Sequence, residues 1–117
     1  TQSRSSAASD VYKRQAHYAP NAQVRLMDAK QLQAGLDVLG ADARNLAVYH
    51  RTPLRTASRA VTLRAMPADA AATARELFGA LRDFDEVGAR LIWIETPPDT
   101  PDWEGVRDRL LRAAAAG

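Results

Sequence analysis

The sequence predicts a small Rossmann-like α/β fold of three layers with a mainly parallel sheet of about four strands, and three observations predict it. Residues 24–27, 46–49, 60–65 and 91–94 are short apolar or alternating runs of strand length. Between them lie stretches whose apolar residues recur every three or four positions, the helical period. Two of the runs, 46–49 and 91–94, are apolar nearly throughout, as strands covered on both faces are. Strands alternating with helices imply parallel pairing through right-handed crossovers.

The first strand, 24–27, has Val24 and Leu26 on one face and runs into Asp28, a residue suited to cap a helix. That helix extends to about Leu39. Gln31 stands three residues after Asp28 in a capping-box arrangement, Leu32, Leu36 and Leu39 mark the buried stripe, and Gly40 suits a left-handed C-terminal cap. Residues 46–49 read as a buried strand. Pro53 and its polar neighbours make 50–58 a connection. In 60–65, Val61, Leu63 and Ala65 alternate with Thr62 and Arg64, which predicts a strand near an edge with the apolar set facing the covered side.

Residues 69–87 carry the strongest helical pattern. Ala74, Leu77, Phe78, Leu81 and Phe84 fall on one face, while Arg75, Glu76, Arg82, Asp83 and Glu86 face water, and Gly88 ends the run. Burying Leu77, Phe78, Leu81 and Phe84 stabilises by on the order of 6 to 12 kcal/mol before entropy is subtracted. Residues 91–94 read as a central parallel strand stopped by Pro97 and Pro98. Thr100 and Pro101 then open a last helix with Trp103, Val106 and Leu110 toward the sheet.

The chain has 117 residues, no cysteine and a formal net charge of +2. The absence of cysteine excludes disulfides, thiolate zinc sites and a cysteine nucleophile, and permits a reducing, cytoplasmic setting. No apolar run approaches the roughly 20 residues of a membrane span. A pI of about 9.4 invites nucleic acid as a partner, but the excess charge sits at the N-terminus. Residues 5–15, SSAASDVYKRQ, back-translate in frame into a transposase sequencing adapter, so residues 1–15 are expected to be a non-native, disordered segment. Setting aside Arg4, Lys13, Arg14 and Asp10 from the 16 basic and 14 acidic residues leaves 13 of each sign. The native charge therefore does not support nucleic-acid binding. The remaining organisation is expected to be an interdomain linker end at 16–23 and one α/β domain at 24–117.

In an open parallel sheet, ligands bind beyond the carboxyl ends of the strands, which this chain furnishes with Asp28, His50, Arg51, Met66, Glu95 and Thr96. No GxGxxG or P-loop glycine pattern occurs. Arg44, Arg51, Arg55, Arg59 and Arg64 form an arginine-rich stretch with no acidic residue among them. Within it Arg51, Arg55 and Arg59 are candidate contacts for phosphate, RNA or an acidic partner, or alternatively a solvated loop. An independent binding module for RNA or an acidic partner is accordingly one reading of the whole chain. His50 reads either as a general base or as a strand-end histidine bonded to backbone. Asp28 and Glu95 read either as a carboxylate pair or as a cap and a strand-end salt bridge. No catalytic residue and no metal site emerges from these patterns.

Three stretches carry a resemblance to a known family. His17-Tyr18-Ala19-Pro20 resembles the end of the GMxxxHY(A/S)P linker of two-domain threonylcarbamoyl-AMP synthases. The LFGALRDFD stretch at 77–85 is similar to their L(F/Y)xxLRxxD helix, and DRLLRAA at 108–114 to their closing (N/D)RLxRAA helix. One stretch departs: where the family commonly has a Gly-Leu-Gly-type turn before the final helix, this chain has Pro98-Asp99-Thr100-Pro101-Asp102-Trp103. The resemblance implies a C-terminal accessory domain of an L-threonylcarbamoyladenylate synthase, a nucleotidyltransferase. Its YrdC-like N-terminal domain would join threonine, bicarbonate and ATP (with Mg) for the t6A modification of tRNAs. It also implies that this chain is inactive without that domain, that His17 and Tyr18 lie near substrate or pack the linker, and that downstream tRNA-modification enzymes are possible partners.

Overall fold

The computed structural model describes residues 22–116; the expectations for 1–15, and for His17 and Tyr18, lie outside the described residues. Strands β1 (Gln23–Met27), β2 (Leu46–His50), β3 (Thr62–Ala65) and β4 (Leu91–Glu95) and helices α1 (Ala29–Leu39), α2 (Ala70–Glu86) and α3 (Glu104–Ala116) follow one another in the order β1-α1-β2-β3-α2-β4-α3. All pairings are parallel, in the order β1-β4-β2-β3. The Rossmann-like three-layer prediction holds.

Side-chain alternation along β2 and β4 sorts the core into two clusters, one on each face of the sheet. Ala47, Tyr49, Ile92 and Ile94 join Leu77, Ala80, Leu81 and Phe84 of α2 and Val106, Leu110 and Ala113 of α3. Leu46, Val48 and Trp93 join Leu32 and Leu36 of α1. Because both faces are covered, the two central strands read as continuous apolar runs. Phe78, expected in the core, is half-buried at its margin.

Local chemistry sets the helix ends. Asp28 Oδ1 accepts the Gln31 N–H at 2.8 Å while the Asp28 N–H donates to Gln31 Oε1 at 2.9 Å, the reciprocal box that the spacing predicts. Asp69 Oδ1 accepts the Ala72 N–H at 2.7 Å at the start of α2. Gly40 (φ 61°) and Gly88 (φ 86°) follow α1 and α2 in backbone conformations that a Cβ disfavours. The last helix is entered through a 3₁₀ turn at Pro101–Trp103.

The connection from β2 to β3 has no helix. It crosses the α1 face, where Leu54 and Val61 pack against the α1-side cluster and Gln33 both accepts the Arg55 N–H (3.0 Å) and donates to the Arg55 carbonyl (2.9 Å). The chain thus moves outward from β1 to β3 over one face and returns through α2 over the other, as crossovers of a single hand require.

One expectation for β3 is corrected. Val61, just before β3, does pack against the α1-side cluster, but Leu63 and Ala65 on the same side, with Leu63 in register with Val48, are exposed at the sheet edge. The half-buried residues of β3 are Thr62 and Arg64, and the guanidinium of Arg64, in register with Tyr49, reaches Asp83 at 3.0 Å and Glu76 at 3.8 Å on α2. Acidic residues of α2 thus compensate a half-buried arginine on β3.

Candidate functional site

Parallel pairing gathers the ends named from sequence at one pole, and hydrogen bonds tie them together. The Thr96 N–H donates to the Met27 carbonyl at 2.9 Å, closing the gap between β1 and β4. The Met66 N–H donates to the His50 carbonyl at 2.6 Å, closing that between β2 and β3. Between β2 and β4 the Glu95 carboxylate does the same work with more bonds. Its Oε1 accepts the N–H groups of Arg51 (2.7 Å) and Thr52 (2.8 Å), and its Oε2 accepts the Thr52 hydroxyl at 2.9 Å.

Burial pushes the Glu95 carboxyl up, but the Thr52 and Arg51 N–H groups, the Thr52 hydroxyl and the Arg51 charge outweigh it and hold it below its ordinary value. A lowered folded value means stability present above the unfolded carboxyl pKa, about 4.3, and lost as pH falls through the folded value. Glu95→Gln is therefore expected to be less stable than the parent chain near neutrality, with the gap narrowing below about pH 4. Urea denaturation at several pH values reads this; a gap constant with pH contradicts it.

The candidates separate as follows. Asp28 caps α1 and Glu95 binds the 51–52 turn, so the carboxylate pair does not form, and Glu95 is held by N–H and O–H donors instead of the salt bridge expected of it. His50 Nδ1 lies 3.0 Å from the Thr52 carbonyl, a contact that requires the proton on Nδ1. Arg51 sits with its guanidinium 5.0 Å from the centroid of the Trp103 ring, a cation–π arrangement. The arginine stretch is drawn out along the molecule. Arg51 follows the carboxyl end of β2, Arg55 is tied to Gln33, and Arg59 precedes the amino end of β3, next to Ser58, whose hydroxyl donates to the Ala43 carbonyl at 2.5 Å. Since β2 and β3 run parallel, Arg51 and Arg59 stand at opposite poles, about 15 Å of strand apart.

Sequence reasoning missed three participants. Thr52 and Trp103 meet Glu95 and Arg51 only through the fold. The Tyr49 hydroxyl, buried against α2, donates to Glu76 Oε2 at 2.5 Å. Burial and that bond, together with the Glu76 charge, push the Tyr49 phenol up, against a smaller opposing pull from Arg64. The departing loop before α3 is pinned by Arg107, which donates to the carbonyls of Pro98 (2.6 Å) and Thr100 (3.2 Å) and pairs with Asp99 at 3.2 Å.

A groove of about 850 Å³ flanks β1, an edge strand among the described residues, with Gln23, Arg25, Gln31 and Trp93 on its walls. It offers shape but no acid–base pair. The carboxyl-end junction has the chemistry and is the stronger candidate. Among the described residues no helix is long and apolar enough to cross a membrane, and no cluster of three His, Asp or Glu is placed to hold a metal ion.

The chain is similar in structure to P. abyssi Sua5 in its crystal structure with L-threonine, with a TM-score of 0.65 and 22% identity. At that identity the likeness bears on the fold. The match covers 86% of this chain and 30% of that one, so the chain spans about a third of the length of the protein it resembles. No curated protein sequence matches it. Residues 10–115 match the family described as threonylcarbamoyl-AMP synthase, C-terminal domain, a match that begins inside the adapter-like stretch and runs through α3. By that match over nearly all of its length, the chain belongs to the family of threonylcarbamoyl-AMP synthase C-terminal domains.

Proposed function

We propose that this chain is the accessory C-terminal part of an L-threonylcarbamoyladenylate synthase and that it supports, without performing, the chemistry of a YrdC-like domain. The whole enzyme would convert threonine, bicarbonate and ATP into threonylcarbamoyl-adenylate, pyrophosphate and water, in the cytoplasm, for tRNA t6A modification. The observation that carries this reading is the family match over residues 10–115. The fold suits a supporting role: a rigid parallel sheet covered on both faces whose polar pole is cross-linked by its own side chains. A covalently attached domain of this kind acts by positioning the segment that enters it. By resemblance that segment holds His17 and Tyr18, which would close over the adenylate and exclude water.

The test is a chimera in which residues 16–117 replace the C-terminal part of a full-length family member. Its adenylate yield is expected to exceed that of the same enzyme truncated after the catalytic domain. A chimera no better than the truncated enzyme overturns the proposal.

A further inference from the structure

The carboxyl end of the sheet contains an oxyanion cradle that the chain fills itself. Two consecutive N–H groups, of Arg51 and Thr52, converge on one oxygen of Glu95, and the Thr52 hydroxyl takes the other. Successive N–H groups aimed at one point form the kind of nest that holds phosphate and carboxylate groups. The Arg51 guanidinium, seated over Trp103, places a positive charge on the same residue. The nest lies where the chain leaves β2 over the α1 face and leaves β4 over the opposite face, the switch point at which open parallel sheets take ligands. Glu95 is only 8% exposed, whereas Arg51 and Thr52 stand at the surface, so the donors belong to a surface turn and their occupant comes from within.

We propose that this crevice is a binding site for a small oxyanion, a phosphate or carboxylate group, and that Glu95 is its built-in occupant, which an incoming anion displaces. The donor set suits a full negative charge: two N–H groups, a hydroxyl and the Arg51 charge together outweigh the burial of the Glu95 carboxylate, and the same groups would favour an incoming anion over a neutral group. The turn does not depend on Glu95 for its path. The β2–β3 connection is fixed independently by Met66 on His50, by Gln33 on Arg55 and by Ser58 on Ala43. Removing the carboxylate therefore leaves the donors in place and empty.

The test is titration of the ¹⁵N-labelled chain with inorganic phosphate at fixed pH and ionic strength, following the Arg51 and Thr52 amides. Glu95→Ala is expected to bind phosphate at least about tenfold more tightly than the parent chain, a difference of about 1.4 kcal/mol. Adding Thr52→Val is expected to reverse most of that gain. Acetate in a parallel titration distinguishes a carboxylate site from a phosphate site. Should Glu95→Ala fail to fold, Glu95→Ser, which keeps a hydroxyl at the strand end, is read in the same way. The proposal is overturned if a folded variant responds to both anions no more than the parent chain does, or if the shifts fall away from residues 51 and 52. It is overturned equally if neither variant folds, because Glu95 is then a structural requirement.

Discussion

Phe84→Ala is expected to cost about 3–5 kcal/mol of folding stability. Phe84 is buried in the last turns of α2 and meets the Tyr49 ring edge-on, with centroids 6.0 Å apart and planes at 75°. Truncation removes the apolar area, leaves a cavity between α2 and the sheet, and abolishes an aromatic pair that adds about 0.5–1.5 kcal/mol of its own. It also loosens the wall beside the Tyr49 hydroxyl, whose bond to Glu76 holds β2 to α2. A domain of this size has roughly 5–15 kcal/mol in total, so the loss is a large part of it. Urea denaturation with an unchanged slope and a lower midpoint is the expected result. Val38→Ala is the control: its side chain is 85% exposed, and a change within about 0.5 kcal/mol is expected there.

On the other face of the sheet the sensitive position is a glycine. A Cβ at Gly35 would stand 2.8 and 2.9 Å from Cζ3 and Cη2 of Trp93, closer than carbon atoms pack. Alanine in the middle of a helix gains about 1 kcal/mol over glycine, so propensity alone favours the substitution. The Trp93 ring belongs to the α1-side cluster and is a rigid plane, so it must shift as a whole to make room. Overpacking of this kind costs about 1–3 kcal/mol and decides the sign. Gly35→Ala is expected to destabilise modestly, and Gly35→Leu by about 3 kcal/mol or more, as α1 is pushed off its cluster. Thermal unfolding of the two variants checks the order; a Gly35→Leu variant as stable as the parent contradicts the packing of Trp93.

What the sequence disclosed follows the range of the interactions involved. The Asp28–Gln31 box, the stripe at Leu32 and Leu36, though not its expected third member Leu39, which is exposed, and the inward face of α2 were legible because each is written within one or two helical turns. The two central strands were legible because burial on both faces leaves a continuous apolar run. The exposed side of β3 was not, since the partners that draw Arg64 inward lie on α2, as far as 19 residues ahead. At the site, Arg51 and Glu95 were placed at strand ends by the parallel topology alone. Their junction was hidden, because Thr52 and Glu95 are 43 residues apart and no local pattern announces a contact at that distance. The arginine stretch shows the converse: its members are close in sequence, yet two parallel strands carry Arg51 and Arg59 to opposite poles.

The most direct test of an accessory role is to incubate the purified chain with threonine, bicarbonate, ATP and Mg²⁺ and to look for threonylcarbamoyl-adenylate and pyrophosphate by mass spectrometry. A full-length family member serves as the positive control. The expected result is neither product above background from this chain alone; formation of threonylcarbamoyl-adenylate by it would contradict the account.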